Sequence, residues 1–128
     1  MMVDGFYIKQ RIKMTIYGIK TCSTVGKARK FMRENNIEFD FVDYKLESVD
    51  EEKIREWLKQ VDIHLLFNSR GKKYRDLKLK ELKLNDEDKI KWMAKENYLI
   101  KRPVIEYDNN KVHVAYNEEV YKETFLKN

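Results

Sequence analysis

Residues 14–44 change hydrophobic period twice, and few architectures accommodate that. Met14, Ile16, Tyr17 and Gly18 belong to a short β-branched and aromatic run, the composition of a strand. Directly after it Val25, Ala28, Phe31 and Met32 recur at helical spacing as far as Asn35 and Asn36, which predicts an amphipathic helix. Ile37, Phe39 and Phe41 then alternate with Glu38 and Asp40, which predicts a second strand over residues 37–44. The chain therefore opens as a β-α-β unit.

The rest of the sequence completes that opening. Ser48 with Glu51 resembles a capping box, and Ile54, Trp57, Leu58 and Val61 follow at i, i+3, i+4 and i+7, the stripe of a half-buried helix. Residues 68–77 read as a loop entering a short helix. Asn85 opens a further helix with Ile90, Met93 and Ala94 on one side, and the acidic run Asp86, Glu87, Asp88 is accounted for by attraction to the helix dipole. Residues 104–107 and 111–116 are two strands across an Asp-Asn-Asn turn, and a closing helix covers residues 117–125. The order β-α-β, helices, β-β-α predicts an α/β thioredoxin-like fold, a four-stranded mixed sheet with a helical insertion. Residues 14–128 are expected to form this one domain. Residues 1–13 show no strong period and are expected to be an N-terminal extension, either an added edge strand or a flexible tail.

Composition excludes several functions. With 42% apolar residues in 128 the chain can bury a real core, yet no stretch reaches the roughly 18 to 20 apolar residues of a membrane span. The 38% of charged residues are interspersed and leave a net charge of +5, a solvated surface with a mild preference for anionic partners. The basic residues follow no recognition-helix pattern, so direct nucleic-acid binding is not expected. One cysteine rules out an internal disulfide framework and is compatible with a reducing compartment, so a cytoplasmic location is expected. His64 and His113 are far apart and lack companions at metal spacing, which makes them packing or surface residues and leaves no metal site. Trp57 and Trp92 lie in helical segments and read as core contacts.

Cys22 is the residue that points to chemistry. It stands where the first strand turns into the first helix, in Tyr17-Gly-Ile-Lys-Thr-Cys-Ser-Thr-Val-Gly-Lys-Ala-Arg29. A thiol there meets unpaired backbone N–H groups and the positive end of the helix dipole, both of which favour the thiolate. Lys20 and Lys27 flank it and act in the same direction. A lone cysteine taken at random is more often buried and inert, but burial suits an apolar run better than a place between Thr21 and Ser23.

That stretch, together with Leu66-Phe-Asn-Ser-Arg-Gly-Lys-Lys-Tyr-Arg-Asp-Leu77 and Leu99-Ile-Lys-Arg-Pro103, resembles the arsenate reductase-like (ArsC-like) family, which takes in YffB-type and YusI-type proteins and the Spx regulators. The resemblance runs from Met14 to about Phe125 with its three motifs in order. It implies a thioredoxin fold in which Cys22 attacks an oxyanion or a disulfide, and an arginine suits an oxyanion because its donors form a fixed fork. Arg102 matches one family arginine, and Pro103 would then be the cis proline beside the reactive sulfur; composition alone favours trans. Ser23 and Thr24 would stabilise the thiolate.

Departures from the family patterns divide the expectations. Ile19-Lys20-Thr21 replaces the Asn-Pro-x that precedes the cysteine in arsenate reductases. Asn68 stands where the family has an arginine, with Arg70 two residues on, and Ala115-Tyr-Asn-Glu-Glu119 lacks the late arginine. Spx-type regulators carry Cys-x-x-Cys, whereas Val25 follows Cys22 at that spacing. The expected activity is a monothiol reductase with no bound cofactor, in which glutathione or another low-molecular-weight thiol, alone or with glutaredoxin, rescues oxidised Cys22. The carboxylates of such a thiol would pair with Lys20, Lys27, Arg70 or Arg102, each of which has an alternative reading as an ordinary surface charge. Binding to the RNA polymerase α subunit, without a redox switch, is the non-enzymatic alternative.

Overall fold

The computed structural model describes residues 13–126; the expected extension lies, but for Lys13, outside the described residues. Four short strands form one sheet in the order β2-β1-β3-β4: β1 (Thr15–Gly18), β2 (Asp40–Asp43), β3 (Val104–Tyr107) and β4 (Lys111–Val114). β1 runs parallel to β2 and antiparallel to β3, and β3 runs antiparallel to β4, the mixed sheet expected from the element order. The β3–β4 turn places Asp108, Asn109 and Asn110 at positive φ, a region that Asp and Asn enter more readily than other residues with a side chain.

Because neighbouring side chains on a strand face opposite ways, the sheet has two cores. Ile16 and its partner Ile105 pack beneath α1 (Ser23–Glu34), with Ala28, Phe31, Met32 and Tyr121. Tyr17 and its partner Val104 face the other side, where the segment between β2 and β3 covers them with Ile54, Trp57, Leu66, Met93 and Leu99. That covering segment contains α2 (Glu51–Leu58), α3 (Ile63–Leu66), α4 (Lys72–Asp76) and α5 (Asp86–Lys95). Each fully buried side chain of this kind contributes about 1.5–3 kcal/mol. A final α6 (Glu118–Tyr121) continues into a π-helical turn, Lys122–Leu126, and closes the α1 side. None of the helices among the described residues is long and apolar enough to cross a membrane.

Two polar side chains tie the layers together. Buried Asn97 accepts from the Val49 N–H at 2.8 Å and donates to the carbonyls of Val49 and Met93, joining the approach to α2 to the end of α5. Glu106 on β3 accepts from Tyr17 Oη at 2.8 Å, Lys53 Nζ at 3.0 Å and Trp57 Nε1 at 2.7 Å, and so fastens α2 to the sheet.

Some element boundaries differ from the pattern-based expectations. Only residues 40–43 of the expected second strand pair with β1; Ile37 and Phe39 pack against the α1-side core before pairing begins. Asp50, not Ser48, caps α2 by accepting from the Lys53 N–H at 2.9 Å, because Val49 is drawn inward by Asn97 and the chain turns helical only after it. The helix expected to open at Asn85 does so, and Asn85 and Asp88 form a reciprocal capping box at its start.

Candidate active site

Cys22 is the N-cap residue of α1, in extended conformation at φ −77° and ψ 128°. It arrives there through a tight turn in which its N–H donates to the Ile19 carbonyl at 3.0 Å, and its own carbonyl accepts from the Gly26 N–H at 3.0 Å. The turn is possible because β1 ends hard against the helix. A Cβ on Gly18 would lie 2.6 Å from a Val25 methyl, so any larger residue would push α1 and its cap away from the sheet.

The half-buried sulfur lies 3.2 Å from Thr24 Oγ1. Burial by itself pushes the Cys22 thiol up. The Thr24 hydroxyl, the Val25 N–H, the Arg102 side chain and the Thr24 N–H outweigh it, so the pKa falls below the usual thiol range. These are the donors a helix N-terminus offers an anion, supplemented by one hydroxyl and one cation.

Arg102 and Pro103 come from the opposite direction, on the segment that enters β3. The peptide bond between them is cis, and Pro103 is buried. The Arg102 guanidinium donates to the Tyr98 carbonyl at 3.0 Å and lies 5.7 Å from the centre of the Tyr98 ring. This segment is itself pinned. Phe67 and Ile100 form an antiparallel bridge, the Asn68 N–H donates to Leu99 O at 2.7 Å, and the Lys101 N–H donates to Leu66 O at 2.7 Å. The end of α3 thereby holds the residues that lead to Arg102.

Asn68 also shapes the following loop: its Oδ1 accepts from the Arg70 N–H at 3.2 Å. A Cβ on Gly71 would sit 2.6 Å from its Nδ2, so a larger residue there would displace the Asn68 side chain. The structure thus brings Cys22, Thr24 and Arg102 together. Ser23, Lys20, Lys27 and Arg70 are exposed, and none hydrogen-bonds to the Cys22 sulfur among the described residues. His64 is exposed and paired with Asp62 at 2.8 Å, while His113 packs edge-on against Tyr121 and Phe125. The described residues contain no group of three or more His, Cys, Asp and Glu placed to hold a metal ion.

One contributor escapes a reading of the sequence. Tyr98 holds Arg102, its carbonyl accepting from the guanidinium and its ring lying beside it, and no periodic pattern marks it.

The ArsC family model matches residues 17–124 of this chain. YusI of Bacillus subtilis is 28% identical over 118 residues, 89% of this chain and 99% of its own. A YffB protein of solved structure has a TM-score of 0.79 and 31% identity, covering 86% of this chain and 96% of that one. An arsenate reductase (ArsC) related protein from Brucella melitensis has a TM-score of 0.69 and 32% identity, covering 88% and 94%.

Proposed function

The chain belongs to the ArsC family, and from that premise we propose that it is a monothiol reductase whose nucleophile is the Cys22 thiolate. The observation that carries the reading is the placement of the half-buried Cys22 sulfur at the N-terminus of α1, 3.2 Å from Thr24 Oγ1, a setting whose donors hold the thiol pKa below its usual range. Thiolate, not thiol, is the attacking species.

In the reaction proposed, the Cys22 thiolate attacks the glutathione sulfur of a mixed disulfide. A Cys22–glutathione disulfide forms, and the substrate leaves as its thiolate with the electron pair of the broken bond. Cys22 is the chain's one cysteine, so the adduct must be resolved by a second molecule of thiol, which takes the glutathione as a disulfide and returns Cys22 to the thiolate. Arg102 binds the anionic substrate or steadies the departing thiolate, and Pro103 shapes the wall beside the sulfur. Glutathione, or another small thiol delivered alone or through a glutaredoxin, supplies the electrons. Arsenate is a second substrate to test, since the same thiolate would attack its arsenic. We place this reaction in the cytoplasm, where thiols are kept reduced.

The test is the rate of Cys22 alkylation against pH, followed by intact mass, for the protein and for Arg102→Ala. A midpoint below the free-thiol value of about 8.5, moving up in the variant, is expected, together with turnover of a glutathionylated substrate. A midpoint at the free-thiol value and no turnover would sink the reductase and favour a binding role of the Spx kind, directed at the RNA polymerase α subunit.

A further inference from the structure

Acids and bases are interspersed and balanced over most of the chain, but the surplus of bases falls in one stretch. Residues 70–83 hold seven basic and two acidic residues, a surplus equal to the net charge of +5 of the whole protein. Everything outside this stretch is electrically balanced. The stretch is α4 and the turn after it, the outer part of the helical insertion, and it begins two residues beyond the Asn68–Leu99 backbone bond that supports the Arg102 segment.

Much of that charge is unspent. Arg70, Lys78, Lys80 and Lys83 are exposed, and none has a carboxylate within ion-pair distance among the described residues. Between them Leu77 and Leu82 keep 39% and 56% of their surface in water, although Leu79 in the same turn is buried. One residue of the stretch lies beside the segment that carries Arg102: Lys73, paired with Glu96 at 3.9 Å, has its Nζ 5.8 Å from the centre of the Tyr98 ring, and the Arg102 guanidinium lies 5.7 Å from that centre.

We infer that residues 70–83 are a docking surface for an acidic protein that exchanges thiols with Cys22, with Leu77 and Leu82 as its apolar contacts and the unpaired lysines as its rim. The inference rests on the reductase reading above and names the partner of that same site. Exposed leucines set among lysines suit a protein, whose interfaces join an apolar centre to a charged edge; a phosphate backbone offers nothing to a leucine. A membrane surface would ask for a continuous amphipathic helix, whereas this stretch is a five-residue helix and a single 3₁₀ turn. Opposite charge raises the encounter rate about tenfold or more, and salt removes the gain. When the docked protein rather than a small thiol does the resolving, its thiolate attacks the Cys22 sulfur of the Cys22–glutathione disulfide, glutathione leaves as its thiolate, and a further thiol attacks the partner's sulfur of the protein–protein disulfide and frees Cys22 as the thiolate.

The experiment starts from Cys22 carrying a nitrothiobenzoate group. It follows release of the coloured anion on adding a cysteine peptide rich in Glu and Leu, the same peptide with Gln for Glu, or 2-mercaptoethanol. At low salt the acidic peptide is expected to react about tenfold faster than its Gln counterpart, and raising salt from about 10 mM to about 0.5 M should abolish the difference. K78E/K80E/K83E should remove the advantage and leave 2-mercaptoethanol unaffected. K30E/K111E/K122E makes the same charge change elsewhere and should retain most of the advantage. Equal loss in both variants would reduce the effect to overall charge and overturn the inference. So would equal rates for the two peptides, or binding to phosphatidylserine vesicles without any rate advantage for the acidic peptide. Should Cys22 fail to form the adduct, the reductase reading fails by itself. The serine version of the acidic peptide then tests docking directly, by NMR shift changes expected within residues 70–83; changes elsewhere or none would overturn it.

Discussion

Cys22 and Glu106 are two half-buried ionisable groups attached to the same sheet, and both are tuned toward the anion. For both, burial raises the pKa and hydrogen bonding outweighs it. They differ in where their donors come from. Glu106 is met by side chains from two elements, Trp57 and Lys53 of α2 and Tyr17 of β1, and its charge is spent on fastening a helix to the sheet. Cys22 is met by one hydroxyl, one arginine and the free N–H groups of a helix end, and its sulfur stays partly open. Anion stabilisation alone therefore does not mark a reactive site. A saturated anion is structural; an anion whose donors leave one side open is available to react.

The largest expected effect tests the saturated side. Trp57→Ala removes a buried ring and the Nε1 donor to Glu106 together, and should cost about 3–5 kcal/mol in urea unfolding, with the Cys22 alkylation midpoint of the folded fraction unchanged. A shifted midpoint would mean that the two regions are coupled.

Next comes the carboxylate. Glu106→Gln keeps the shape and weakens three hydrogen bonds, and should cost about 1–3 kcal/mol at neutral pH. Because the folded pKa lies below the ordinary 4.5, the unfolded chain binds a proton first as the pH falls. The stabilisation is whole above 4.5 and is lost as the pH falls through the folded value. The stability gap between Glu106→Gln and the protein should therefore close in acid; a gap independent of pH would contradict the ion-pair account.

A smaller change is expected on the open side. Thr24→Val deletes the hydroxyl 3.2 Å from the sulfur, a hydrogen bond worth about 0.5–1.5 kcal/mol. Alkylation below the midpoint should slow about threefold to tenfold, with stability within about 0.5 kcal/mol of the parent. Loss of stability without loss of rate would reverse the comparison.

The smallest effect concerns His113, which lies in neither region. Burial against Tyr121 and Phe125 lowers its pKa below 6.5, so the neutral form folds best. The unfolded chain takes up the proton first as the pH drops, and this part of the stability is lost as the pH falls from 6.5 through the folded value. His113→Gln should flatten that slope in thermal unfolding between those limits.

The order of strands and helices is legible in the amino-acid pattern because periodicity is a local signal: Ile16 and Tyr17 alternate, and Val25, Ala28 and Met32 recur at helical spacing. The junction at Cys22 is legible for the same reason, since a strand that runs directly into a helix must expose N–H groups where they meet. Strand limits and caps are less so. Val49 and Asn97 bond across 48 residues of chain, and that contact decides that Asp50 and not Ser48 starts α2. Of the residues first associated with the thiol, Thr24 places its hydroxyl 3.2 Å from the sulfur and Arg102 helps to lower its pKa, whereas Ser23, Lys20, Lys27 and Arg70 make no hydrogen bond to it among the described residues. Adjacency along the chain is a poor guide to adjacency around a sulfur.

By itself, then, the sequence determined the mixed α/β architecture, the placing of one thiol at a helix start and the gathering of net charge into residues 70–83, all of which depend on spacing along the chain. Only the tertiary structure decided which groups surround Cys22, how Leu66 and Asn68 at the end of α3 hold the Arg102 segment, and that Arg102 and Lys73 both lie beside the Tyr98 ring. Those outcomes depend on backbone pairing between segments more than thirty residues apart, and no local pattern encodes the distance at which two such segments meet.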